Sequence, residues 1–379
     1  MRPVITGDLD RALSTPISSA GTWRPAPRGG GSAPGTYATT IAFLLARRGT
    51  TGGTSDTGGA PAIAAALAER LHGLEWVSAA AVTGGGYLTV TVTSGALARL
   101  AVRITQAGPA CCRSEALAGL TVTAPAAVNL ASTRTWAQAR ERLAATVLGR
   151  LAEASGARVT WTHDTERIAA PGSPPHPAAG PVAEAIGYAG AGPVAYTLAC
   201  LPPHGPASLD ARLVAAHDLR NPAYAVRYAH AHAVSTLRQA ADLGLGLADA
   251  AEFRPHLLAH PSEQALLYEL SWLPERVARA ARRGRLDVLA RFLEGLAGAY
   301  LVCQETSPAV RPGGAQDSGS SGVAMGGARD GGPPGAAAPV PGDQPGSQVT
   351  VARLWLATAA RTALHAGLDL LGVDAPDRM

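Results

Sequence analysis

"DLRNPAYAVRYAHAHAVSTLRQA", residues 218–240, decides how the second half of the chain is read. Asn221 can accept hydrogen bonds from the first free amides of a helix, and Pro222 suits the first helical position, where no N–H is needed. Val226, Ala229, Ala233 and Leu237 then recur at helical spacing and predict one buried face. Tyr224, Tyr228 and His232 recur every four residues along a second stripe. That stripe offers stacking faces with hydrogen-bonding tips, which suits a core, a metal or an RNA. The H-A-H run argues against the metal: positions i and i+2 point about 200° apart on a helix, and no acidic or cysteine cluster accompanies it. On the residues alone, a helix packed with amphipathic aromatics and an RNA-facing helix both stay open.

Outward from this helix, the pattern is helical from about residue 184 to the end. "GAGPVA" at 190–195 fits GxGxxA, but a proline sits inside it and no strand precedes it, so it reads as a helix-start turn rather than a dinucleotide site. "PERVARAARRGR" at 274–285 brings Arg276, Arg279 and Arg283 to one face, fit for phosphates or for solvent. Residues 306–348 are rich in Gly, Pro and Ser and are expected to be a disordered insertion. A last helix closes the chain.

Towards the N-terminus, residues 169–183 carry prolines at 171, 174, 175, 177 and 181 and read as a linker. Residues 115–168 hold one strand–helix–strand unit: "LTVTAPAAVNL", "TWAQARERLAATVLGRLAEASG" and "RVTWTHD". Such a crossover is parallel, and a doubly wound sheet needs several of them. Residues 35–110 predict a compact α+β unit of two helices and two strands, with Leu88, Val90 and Val92 alternating against threonines. Residues 1–34 are expected to be disordered.

The fold class is thus multidomain α+β: a small N-terminal α/β domain, a Rossmann-like βαβ remnant, and a C-terminal all-α bundle. An apolar share of 47% supports buried cores. No apolar stretch approaches the roughly 20 residues that span a bilayer, and residues 1–19 lack the layout of a secretory signal, so a cytoplasmic protein without a membrane partner is expected. Cys111, Cys112, Cys200 and Cys303 have neither CxxC spacing nor disulfide-scaffold density. No P-loop, nucleophile elbow or HExxH occurs, and His163 with Asp164 finds no converging partner. No metal and no cofactor are expected. The net charge of +4 permits a nucleic-acid partner without demanding one. The chain contains no lysine, so all 32 basic residues are arginines and any mechanism needing an ammonium is excluded.

The opening stretch resembles the segment of arginyl-tRNA synthetases that reads roughly D-N-P-V-Y-Y-V-Q-Y-A-H-A-R, where the helical anticodon-binding domain begins. "ALHAGLDLLGVDAPDRM" (363–379) is similar to that family's terminus, and residues 35–94 are similar to its N-terminal RNA-binding domain. The three matches follow the family's order. The resemblance implies a DALR-type domain that holds the anticodon stem-loop of a tRNA, tRNA(Arg). It implies contacts from Asn221, Tyr224, Arg227, Tyr228, His232, Arg276, Arg279, Arg283, Tyr300, Arg378 and Met379, with bases on Tyr224, Tyr228 or Tyr300 and arginines on the backbone.

The departures bear on activity. Where the family's catalytic domain reads like N-P-T-G-P-L-H-V-G-H-A-R, residues 129–140 read "NLASTRTWAQAR". Thr135 and Gln138 replace the two phosphate-binding histidines, Ala137 replaces a glycine, and Trp136 stands beside it. A KMSK-type loop has no counterpart. The D-A-L-R signature appears as "GPVA" at 192–195, followed by a retained Tyr196. A tRNA-binding relative without aminoacylation activity is therefore expected, with no catalytic residue. The alternatives are an active arginine–tRNA ligase and a protein-interaction or regulatory scaffold that has lost RNA binding; protein partners are left unassigned.

Overall fold

The computed structural model describes residues 8–9, 12, 23–25, 34–49, 59–127, 129–162, 180–202, 209–310 and 348–379. The 163/164 pair, most of the 169–183 linker and residues 311–347 of the 306–348 insertion lie outside them.

Four strands form an antiparallel sheet in the order β1-β2-β4-β3: β1 (Trp23–Pro25), β2 (Thr36–Thr39), β3 (Val77–Thr83) and β4 (Tyr87–Val92). The predicted alternation holds in β4, where Leu88, Val90 and Val92 are buried and Thr89 and Thr91 are half-buried. Thr89 shares a 2.8 Å hydroxyl–hydroxyl hydrogen bond with Thr83 across the hairpin. Gly84 and Gly86 take positive φ in the β3–β4 turn, and a Cβ at Gly86 would meet Ala60 at 3.0 Å. Helices α1 (Ile41–Gly49) and α2 (Ala60–His72) cover the sheet, and α2 carries Pro61 in its first turn, where no N–H is needed.

Within the stretch expected to be disordered, Trp23–Pro25 pair with Tyr37–Thr39, Trp23 is buried, and so is Leu9. Burying an indole offsets the ordering entropy of a short edge strand that composition alone does not reveal.

Helices α3 (Ser94–Ala98) and α4 (Leu100–Ala107) lead to the strand–helix–strand unit: β5 (Thr121–Pro125), α5 (Trp136–Ala154) and β6 (Arg158–Thr162), with β5 and β6 parallel and in register from Thr121/Arg158 to Pro125/Thr162. The helix lies close to its two strands because Gly149 has no side chain: a Cβ there would sit 2.5 Å from the Cβ of Ala124 and 2.9 Å from the Trp161 ring. Among the described residues no strand follows β6. The remainder is helical: α6 (Pro181–Ala189), α7 (Ala191–Cys200), α8 (Ala211–Val214), α9 (Pro222–Asp242), α10 (Pro261–Ser271), α11 (Leu273–Arg283), α12 (Asp287–Thr306) and α13 (Gln348–Leu371). None of the described helices is long and apolar enough to cross a membrane.

The sheet does not stand apart from the helices. Tyr37 of β2 is fully buried between Tyr268 of α10 (ring centroids 5.5 Å apart) and Trp272 (5.2 Å). Its hydroxyl donates to Ser271 Oγ at 2.8 Å, while the Tyr268 hydroxyl donates to the Thr36 carbonyl at 2.9 Å. One continuous apolar core therefore runs from Leu88 and Tyr37 through Trp272 to Val226 and Leu356.

Candidate nucleic-acid interface

Asn221 builds the start of α9 with its whole carboxamide. Its Oδ1 accepts from the Ala223 amide at 3.2 Å, and its Nδ2 donates to the carbonyls of Val214 (2.9 Å) and Ala216 (2.8 Å). Cap and preceding loop are thereby locked together, and the loop brings His217 over the first tyrosine of the helix.

The result is a ladder of rings. His217 stacks on Tyr224 (centroids 5.3 Å, 20° between planes), Tyr224 on Tyr228 (5.7 Å, 15°), and Tyr228 meets His232 at 6.0 Å and 56°. His217 is exposed and the two tyrosines are half-buried, so the ladder lies at the solvent boundary with His217 as its outermost ring. The ladder is anchored inside: His232 Nδ1 lies 3.2 Å from the hydroxyl of Tyr300, and burial holds the His232 imidazole below its ordinary pKa. A cleft of about 610 Å³ lies between α7, α8 and the start of α9, lined by Thr197, Leu213, Val214, Asp218 and Pro222. Arg220 stands at the rim, its guanidinium 91% exposed and 2.5 Å from Asp218.

The structure redistributes the remaining candidates. Tyr300, expected among the stacking rings, is fully buried in α12, and burial pushes its phenol pKa up. It supports His232 from beneath and has no free face. Arg227 is turned away from the ladder towards the C-terminal segment, where Nη2 lies 3.4 Å from Asp374. The arginine face of α11 is less open than its spacing predicts. The Arg276 guanidinium lies 5.8 Å from the Trp272 ring and 5.9 Å from the Phe292 ring. Arg279 is half-buried, and Arg283 is exposed. Arg378 and Met379 are exposed. His230 and His232 reach different partners, His230 meeting the Pro376 carbonyl and His365, so the H-A-H run does not converge. Among the described residues no group of three His, Cys, Asp or Glu side chains is arranged to hold a metal.

Sequence reasoning missed His217 and Arg220. Both lie in the loop before the helix, outside any periodic pattern, and only the Asn221 bonds place them beside the ladder.

Residues 129–140 close on themselves. Asn129 Oδ1 accepts from the Ala131 amide, and the Thr133 hydroxyl donates to the Leu130 carbonyl. Thr135 caps α5 by accepting the Gln138 amide at 3.2 Å, while Gln138 Oε1 reaches back to the Arg134 amide at 3.0 Å. This reciprocal arrangement, akin to a capping box, consumes backbone donors that a helix N-terminus could offer an anion. Trp136 packs half-buried against the core, next to Ala137.

Comparison with known proteins places this geometry. The DALR anticodon binding domain family matches residues 226–309. The chain is similar to the arginine–tRNA ligase of Paenarthrobacter aurescens, with 34% identity over 194 residues, 51% of this chain and 30% of that protein. It is likewise similar to that of Pseudarthrobacter chlorophenolicus, at 33% over 196 residues, again 51% and 30%. Among solved structures it resembles Thermus thermophilus arginyl-tRNA synthetase at 22% identity and a TM-score of 0.35, over 68% of this chain and 40% of that one. The chain spans about 30% of the length of the curated relatives it matches. Residues 226–309 thus match the DALR anticodon binding domain family, and over about half its length the chain is similar to arginine–tRNA ligases.

Proposed function

We propose that the chain binds a tRNA, tRNA(Arg), through the unpaired bases of its anticodon loop, and that it does not aminoacylate that tRNA. The His217–Tyr224–Tyr228 ladder is the observation that carries this reading. It is a run of stacked rings at the solvent boundary, held by an anchored histidine, where the match to the DALR anticodon binding domain family begins. RNA-binding proteins recognise unpaired loops by stacking bases on such rings, with arginines on phosphates. Arg220 and Arg283, both exposed, supply the phosphate contacts, and Arg378 and Met379 extend the surface.

The second half of the proposal rests on residues 129–140. A self-capped helix N-terminus with Thr135 and Gln138 in place of histidines, beside Trp136, lacks the two groups that would carry phosphate charge in the transition state. Losing several groups that act together on one transition state costs many orders of magnitude in rate. The arginine–tRNA ligase relatives are the ground for testing activity directly.

Three measurements test the proposal. A gel shift with total tRNA gives a complex that weakens steeply with salt, because phosphate contacts release counterions. Sequencing of RNA copurified with the protein recovers tRNA(Arg). Arginine-dependent exchange of pyrophosphate into ATP stays at background. No shift at low salt refutes RNA binding, in favour of a protein-interaction role, and measurable exchange refutes the loss of activity.

A further inference from the structure

The C-terminal segment, residues 372–379, is tied to three helices beyond its own. Gly372 turns out of α13 at φ 72°, and the Val373 amide donates back to the Leu368 carbonyl at 3.0 Å. Arg150 of α5 donates to the Asp369 carbonyl at 3.3 Å, just before the turn, and would lie 2.8 Å from a Cβ on Gly372. Asp374 then crosses the first turn of α7 so closely that a Cβ on Gly192 would sit 2.5 Å from its Oδ1. Here the G-P-V-A replacement has a physical use: the glycine makes room for the segment. Asp374 also pairs with Arg227 of α9, and the Pro376 carbonyl meets His230 Nδ1 at 3.0 Å.

His230 is 3% exposed, and a carbonyl only accepts, so Nδ1 must carry the proton of this bond. It comes from the same helix as Tyr224 and Tyr228, but points to the other side of it, about 200° round from Tyr228. The charged and titratable groups around its ring are Arg361 and His365 of α13 and Asp377 of the segment itself, with Arg227 and Asp374 one turn away.

We propose that His230 is a positioning residue: it fastens residues 372–379 as a strap over α7 and α9, bracing the ring-bearing helix, and it releases the strap on protonation. The bond to Pro376 can be made by neutral or protonated imidazole. The cationic ring, however, must be held out of water, with Arg361 and His365 beside it; the Pro376 carbonyl and Asp377 favour the charge, and burial outweighs them. Undocking the strap rehydrates the ring, so acid favours the undocked form. The effect on RNA affinity rests on the RNA reading above; the strap itself does not.

Hydrogen exchange on the full chain tests this, with rates corrected for the intrinsic pH dependence of exchange. Between about pH 7.5 and about pH 5.5, protection of the Val373 amide falls by about tenfold in the natural protein. His230→Asn, which can still donate to Pro376 but cannot become charged, keeps protection at both pH values. His230→Ala exchanges fast at both, and its tRNA affinity at the higher pH drops by about fivefold, a loss that His230→Asn restores. Equal protection of the natural protein at both pH values, or a His230→Ala variant as protected as the natural protein, overturns the proposal. Strap exchange that follows this pattern in a protein that shifts no tRNA supports the strap and refutes the RNA reading.

Discussion

Tyr224 and Tyr228, one helical turn apart on α9, hold their rings 15° from parallel with centroids 5.7 Å apart. Tyrosines four residues apart need not stack, since each ring can turn about its own χ angles. Here His217 closes one end of the pair and His232 the other, so the orientation is fixed before any ligand arrives. Rings ordered in advance lose little freedom on binding, which favours affinity.

Removing a ring from this pair should weaken RNA binding without unfolding the helix. Stacking on an aromatic side chain is worth about 1–3 kcal/mol per base, and Tyr228 is the middle ring that keeps Tyr224 and the exposed His217 in line. Tyr228→Ala is therefore expected to lower the affinity for an anticodon stem-loop by roughly tenfold or more, while Tyr228→Phe, which keeps the ring, stays close to the natural protein. Fluorescence anisotropy with a labelled stem-loop measures both. Equal binding by the alanine variant removes the ladder from the interface.

Tyr300 should behave in the opposite way. It is buried and meets the ladder at His232, through the Nδ1 contact at 3.2 Å and an edge-on ring contact at 5.8 Å. Tyr300→Phe keeps the packing and removes a hydroxyl, at a cost of about 1 kcal/mol in stability. A lower urea midpoint with little change in stem-loop affinity is the expected pair of results. A large loss of affinity at unchanged stability would return Tyr300 to the binding surface.

The contrast between these tyrosines shows what the chain reveals unaided. Spacing alone identifies α9, its Asn221 cap and its two stripes, because cap chemistry and helical period are local properties. The parallel β5–α5–β6 unit is legible for the same reason. Burial of Tyr300 is not, since it depends on how α12 packs against α9. Nor is the pairing of Arg227 with Asp374, 147 residues away, or the strand Trp23–Pro25, whose order comes from a partner strand and a buried indole.

The cap of α5 offers a test confined to the nucleotide-motif remnant. Thr135 and Gln138 satisfy two amides at the helix start, and losing such a cap costs about 1 kcal/mol. Thr135→Ala is expected to lower the thermal midpoint and leave tRNA affinity unchanged. Isothermal titration with ATP should show no heat of binding in either protein. Saturable ATP binding that disappears in the variant would make this cap a working anion site.

Across the 311–347 stretch, α10 and α13 are joined by an ion pair: Arg353 Nε lies 2.8 Å from Glu263 Oε1, and Glu263 is 1% exposed. Glu263 also accepts from the His260 amide at 2.9 Å, closing the cap of α10. Arg353→Met leaves a buried carboxylate without its cation, which costs about 3–5 kcal/mol. Adding Glu263→Gln to that variant should recover much of the loss, because the amide keeps an acceptor for His260 without a charge. Urea unfolding of the single and double variants measures the coupling, and additive losses would show that the pair does not act as a unit.

His232 makes the stability of the ring helix depend on pH. Burial lowers its folded pKa below the ordinary histidine value near 6.5. The folded state therefore binds its proton less readily than the unfolded chain, so stability is complete above about pH 6.5 and declines as the pH falls. His230, lowered chiefly by burial as well, has the same sign. Urea midpoints measured at descending pH should fall once this range is entered. His232→Gln, which keeps a polar group near Tyr300 but cannot be charged, should flatten part of that slope, and combining it with His230→Asn should flatten more. A midpoint that falls as steeply in the double variant as in the natural protein would assign the acid sensitivity to the carboxylates instead.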